Sequence, residues 1–99
     1  MTTLHTINKA PSDTSLWQSC LSAILPGDAL LMIENGVYAA SQTSITRQLQ
    51  SMHDVSLYLL SADIEARGLT DQIRTEATIV DDLQFVALSC QHAKVVSWF

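Results

Sequence analysis

Two cysteines, three histidines and a row of carboxylates are the residues of this chain whose types and spacing could do chemistry. A thiol that attacks or carries sulfur needs exposure and a lowered pKa. Cys20 falls in the middle of a predicted helix, on its apolar stripe, with no base beside it in sequence. On helical geometry alone it reads as a buried, inert thiol. Cys90 sits near the centre of a second apolar stripe and reads the same way. His5, His53 and His92 make no zinc spacing with the cysteines, since Cys90 and His92 point to different sides of a helix. No metal site is expected. His5 would lie inside the first strand as a satisfied core or interface histidine, and His92 near a helix C-terminus would meet free carbonyls. No Ser-His-Asp constellation follows from the spacing.

The carboxylates gather at predicted strand ends, where open parallel sheets bind their ligands. Those ends read Asn8 and Lys9, Glu34 and Asn35, Ser61 and Asp63, then Asp81 and Asp82. Such a rim could supply an acid and a base, or hold a cation. The plainer reading, that these acids cap helices and solvate loops, is preferred because helix N-termini attract acids. The turns lack G-x-G-x-x-G and P-loop patterns, so no nucleotide cofactor is expected. Two competing functions stay open. One is a freestanding small enzyme using Glu34, Asp63 and Asp81, which requires a closed pocket at the strand ends. The other is a homo-oligomeric small-molecule binding module, which requires an apolar pocket.

The elements that must position these residues alternate between strand and helix. Leu4 to Ile7 forms a short strand, and Ser12, Asp13 or Ser15 caps a helix from Thr14 to Leu25 that Pro26-Gly27 ends. Leu16, Trp17, Cys20, Leu21 and Ile24 share its apolar face. Ala29 to Ile33 is apolar without alternation, as in a parallel strand covered on both sides. After Asn35-Gly36, Val37 to Ala40 reads as a helical turn. Ile45, Leu49 and Met52 mark a helix, Val55 to Leu60 a strand, and Ser61 caps a short helix closed by an Asp63–Arg67 pair and Gly68. Thr70 to Thr75 is a loop and Thr78 to Val80 a strand. Asp82 caps a helix whose shared face is Leu83, Val86, Ala87 and Cys90, and Lys94 to Phe99 is the last strand. This order means an α/β chain: three layers, α/β/α, around a small, mainly parallel five-stranded sheet whose strand order stays open.

Length and composition bound the rest. The 99 residues suit one domain, 1–99, and an apolar fraction of 47% suits a folded core. The charged fraction, 15%, is low for a small protein with much surface to cover, and points to burial against another subunit. Ten acids against five scattered bases argue against direct binding of nucleic acid or an anionic membrane. No apolar stretch is long enough to span a bilayer, the first residues lack a signal peptide's pattern, and two cysteines make no disulfide framework. The expected location is the cytoplasm. Trp98 and Phe99 should pack on something, either the chain's own core or a partner.

An ordered set of short matches resembles the DsrH/TusB family. It comprises Leu4 to Pro11, Ser19-Cys20-Leu21, Glu34 to Ala40, Asp63 with Ala66-Arg67-Gly68-Leu69, Val80-Asp81, Phe85-Val86 and the tail from Lys94 to Trp98. The family pattern usually has Asp at the position of Asn35 and Tyr near Asp82. The resemblance implies a DsrE/DsrF-like fold and a cytoplasmic subunit of a sulfurtransferase complex, a persulfide relay. It implies assembly with DsrE/TusD-like and DsrF/TusC-like chains into a heterohexamer, fed by a TusA-like donor and emptied by a TusE-like acceptor. The outcome is 2-thiolation of the tRNA wobble uridine in the Tus branch and sulfur oxidation in the Dsr branch. The main sulfur-carrying cysteine would be on the DsrE/TusD-like partner. A first-helix cysteine matching Cys20 looks like a DsrH-branch feature. Cys20 is therefore open between a structural thiol and an accessory persulfide site activated at the assembled interface. No cofactor is implied, and the chain alone could self-associate.

Overall fold

The unbroken apolar run after Asp28 becomes the middle strand of a five-stranded sheet, covered on both faces as its composition requires. The computed structural model describes residues 2–99. The strands are β1 (Thr3–Ile7), β2 (Ala29–Met32), β3 (Ser56–Leu60), β4 (Thr78–Val80) and β5 (Lys94–Trp98). They lie in the order β4-β3-β2-β1-β5, and every pairing is parallel. The helices are α1 (Thr14–Ala23), α2 (Thr43–Gln50), α3 (Ser61–Ala66) and α4 (Asp82–Gln91), with a 3-10 helix over Glu34–Ser41.

Strand order decides which face each helix covers. From β1 to β4 the chain steps always in one direction, and right-handed crossovers then stack every connection on one face. That face buries Ile7, Leu30, Met32 and Leu59 under Trp17 and Cys20 of α1, Val37 of the 3-10 helix, Leu49 of α2 and Ile64 of α3. The return from β4 to β5 runs the opposite way across the sheet, so α4 falls on the other face. There Leu88 and half-buried Phe85 meet Leu4, Leu31 and Val80. The three expected layers are present, but one of them is a single helix.

Local corrections have plain causes. Asp13 takes the α1 cap, its Oδ1 accepting from the Leu16 N–H at 3.3 Å. The helix ends at Ala23, short of the expected Leu25, because the residue before Pro26 is driven out of helical backbone. Strand β3 begins at Ser56 instead of Val55. Ser61 is the first residue of α3 and not its cap; Leu60 holds that position without a side-chain bond. Asp81, not Asp82, caps α4, exchanging hydrogen bonds of 2.8 Å with Gln84 in a capping box. Gly36 stands where a Cβ would run into the Ile7 carbonyl, so only glycine lets the 3-10 helix pass the end of β1.

Candidate functional site

Cys20 sits in the last turns of α1, pressed onto the sheet with no solvent exposure. Burial pushes its thiol up to about 12, so it stays protonated at neutral pH. In this fold it packs with Trp17, Leu30 and Ile24 as a small apolar side chain. Cys90 reverses the expectation made for it. It is exposed, because α4 turns Leu88 and Phe85 to the sheet and leaves Leu83, Val86, Ala87 and Cys90 outside.

A buried polar trio forms around β1. His5 Nε2 lies 3.0 Å from Asp28 Oδ2, and the Trp98 indole N–H donates to His5 Nδ1 at 3.1 Å. An indole nitrogen can only donate, so Nδ1 is the acceptor and the imidazole proton sits on Nε2, facing the carboxylate. Asp28 also accepts from the backbone N–H groups of Leu25 and Thr3, each at 3.0 Å. Burial alone would raise its pKa, but the Leu25 N–H, His5 and the Thr3 N–H outweigh it and hold the carboxyl below its ordinary value. The trio joins the starts of β1 and β2 to the end of β5. Trp98 thus packs on the chain's own core, while Phe99 is exposed. Nothing in the local sequence joins residues so far apart, and no local pattern singles out Asp28.

The strand-end rim is a fastening. Asp63 Oδ2 accepts from the Glu34 backbone N–H at 2.7 Å, and its other oxygen meets Arg67 Nη1 at 3.4 Å. Arg67 Nε donates to Asn35 Oδ1 at 3.0 Å, and Asn8 Nδ2 reaches Glu34 Oε2 at 3.4 Å. Together these pin the 3-10 helix, with Glu34 at a φ of +48°, between β1 and α3. Asp81 is engaged in its cap, away from this group. His92 Nδ1 contacts the Leu88 carbonyl at 2.8 Å, as a histidine at a helix end should. Among the described residues, no three His, Cys, Asp or Glu side chains converge.

The open pockets lie elsewhere. One of about 350 Å³ is lined by Leu49, Met52, Val55 and Glu76, one of about 330 Å³ by Ser41, Asp71 and Arg74, and one of about 210 Å³ runs beside α4 along Tyr58, Val80, Ala87 and Leu88. None of these contains Cys20 or a rim carboxylate. Among the described residues, no helix is long and apolar enough to cross a membrane.

Comparison with known proteins bears on this arrangement. A family model described as DsrH like protein matches residues 9–95. Protein TusB of Pectobacterium parmentieri is 37% identical over 97 residues, which cover 96% of this chain and 99% of that one. Protein TusB of Escherichia coli K12 is 34% identical over 97 residues, and that of Buchnera aphidicola 32% over 95, with the same coverage. The crystal structure of the ychN protein from E. coli matches with a TM-score of 0.73 over 98% of this chain and 99% of its own, at 15% identity, a likeness of fold alone. With the family pattern matched over most of its length and full-length relatives above 30% identity, the chain belongs to the DsrH/TusB family.

Proposed function

We propose that this chain is the TusB-type subunit of a cytoplasmic persulfide relay that ends in 2-thiolation of the tRNA wobble uridine. The observation that carries this reading is similarity over 96% of the chain to proteins called TusB, which favours the Tus branch over sulfur oxidation. Its partners are TusD-like and TusC-like chains in a heterohexamer, with a TusA-like donor and a TusE-like acceptor reached through that assembly. Its own role is to complete the assembly. A net charge of −5 with scattered bases suits a subunit that does not hold the tRNA itself. The exposed apolar side of α4 suits one that is covered by other chains.

In this reading sulfur is carried elsewhere in the complex and Cys20 is a core thiol. For Cys20 to take a persulfide, α1 would have to lift from the sheet so that its thiolate can form. The freestanding-enzyme alternative has no support in the geometry, because Asp63 and Asp81 are engaged in holding the fold and neither lines the pockets described above.

Co-expression with TusC-like and TusD-like chains, affinity capture and intact-mass analysis test the assembly. Deleting the gene should lower 2-thiouridine in tRNA. No capture together with unchanged thiolation would refute the proposal; a defect confined to sulfur oxidation would move it to the Dsr branch. For the thiol, iodoacetamide should label Cys90 in the isolated native chain and leave Cys20 unmodified, and the Cys20→Ala complex should relay sulfur at the wild-type rate. Loss of relay with assembly intact would make Cys20 a carrier.

A further inference from the structure

The buried trio around β1 has no part in carrying sulfur, yet it keeps two titratable groups in the interior. His5 is 3% exposed and Asp28 5%, and Trp98 lies half-buried on the edge strand β5. The two ring nitrogens of His5 face opposite demands. Nε2 meets the Asp28 carboxylate at 3.0 Å and must carry hydrogen, whereas Nδ1 receives the Trp98 indole N–H at 3.1 Å and must not. Only the neutral imidazole satisfies both. A second proton would enter at Nδ1 and point at the indole N–H, donor against donor.

Which contact gives way follows from how each partner is anchored. Asp28 is fixed by the Leu25 and Thr3 N–H groups, each at 3.0 Å, and its charge binds an imidazolium more strongly than an imidazole. The indole is less secure. Strand β5 is bonded to β1 alone, and its closing contact, from the Asn8 N–H to the Trp98 carbonyl, is long at 3.4 Å. Phe99 beyond it is exposed.

Few other charges face this histidine. Of the strands beside β1, β2 has none and β5 has Lys94, exposed next to Thr3 on the same side of the sheet. Helix α1, which covers that side, has no charged residue; Asp13 caps its start, and its Cys20 thiol, pushed up to about 12, stays neutral. Glu34 of the 3-10 helix is bonded to Asn8, past the end of β1. On the opposite side α4 brings Asp82 and, at its C-cap, His92, which is held by the Leu88 carbonyl.

We propose that His5 is a protonation latch for the end of β5: neutral, it holds the Trp98 indole; protonated, it keeps Asp28 and lets Trp98 and Phe99 leave the sheet edge. The latch does not rest on the relay reading, since it uses no residue of the thiol chemistry. The indole bond stabilises only the neutral ring, so closure is favoured at high pH and lost as pH falls through the His5 titration. Histidines as a class change charge between about pH 5 and 8, where Asp28, held below its ordinary 3.8, is still a carboxylate.

An NMR titration of the full chain from about pH 8 to 4 tests it. The imidazole Cε1–H signal, assigned with His5→Gln, reports the charge of His5, and the indole N–H signals report the two tryptophans. The Trp98 signal should move toward its solvent-exposed position with the same midpoint as His5, while Trp17, bonded to the Lys9 carbonyl, should not follow. Trp98→Phe keeps a ring but removes the donor, and should raise the proton affinity of His5 about tenfold, as linkage requires. In His5→Gln the Trp98 signal should hold its place across the range. A His5 that stays neutral throughout would overturn the proposal, as would a Trp98 signal that ignores its protonation or moves equally in His5→Gln. So would a Trp98→Phe chain whose His5 proton affinity lies within about twofold of wild type.

Discussion

One face of the sheet lies under α1, the 3-10 helix, α2 and α3, and its core holds Trp17, Leu30, Met32, Leu49, Leu59 and Ile64. The other face lies under α4 alone, whose Leu88 and Phe85 reach down to Leu4, Leu31 and Val80 while Leu83 and Val86 remain outside. Both faces are made of the same kinds of residue. What separates them is topology: three crossovers step in one direction and one steps back. The crowded face holds the larger core, and the sparse face leaves the apolar outer side of α4 exposed. An apolar helix therefore need not be read as a core helix of its own domain.

The contrast can be broken most sharply at Trp17. It is almost completely buried, and its indole N–H donates to the Lys9 carbonyl at 2.8 Å. Trp17→Ala should cost about 4 kcal/mol in urea unfolding of the isolated chain. A cost below about 1 kcal/mol would mean that the crowded face is not the stability core. Next comes Gly36→Ala, which must push the 3-10 helix away from the Ile7 carbonyl and should cost about 3 kcal/mol by the same measurement.

A matched pair on α4 sharpens the comparison within one helix. Leu88→Ala, facing the sheet, should destabilise by about 2 kcal/mol, while Leu83→Ala should change monomer stability by less than about 0.5 kcal/mol. Equal effects at the two positions would erase the distinction between the inner and outer sides.

The smallest effect is a pH slope. Asp28 has a folded pKa below its ordinary value of 3.8, so its share of stability is fully present above that value and is lost as pH falls through the folded pKa. Thermal melts between pH 5 and about 2 should show this loss for wild type. Asp28→Asn should flatten the slope in that window, and an unchanged slope would mean that other carboxylates dominate acid unfolding.

Much of this was legible in the chain itself. The uninterrupted run from Ala29 announced a strand covered on both faces, and Trp17 and Cys20 announced the buried side of α1. The Asp63–Arg67 pair and the turn at Gly68 followed from spacing. The inner side of α4 did not. With Leu83, Phe85, Val86, Ala87, Leu88 and Cys90 in one helix, periodicity cannot choose a side, and sheet order made the choice. The cap fell on Asp81 because Gln84 is three residues on and can return its bond. The His5–Asp28–Trp98 trio was out of reach, since no local pattern encodes a contact spanning 93 positions.

That last contact also orders events in time. Strand β1 has β2 on one side and β5 on the other, so until β5 docks β1 is an open edge with an unpaired ladder. His5 waits there for the indole of Trp98. The second edge of β1 is thus closed by a contact spanning 93 positions, and pairings of such long sequence separation are slow to form and leave an edge exposed to unwanted pairing meanwhile.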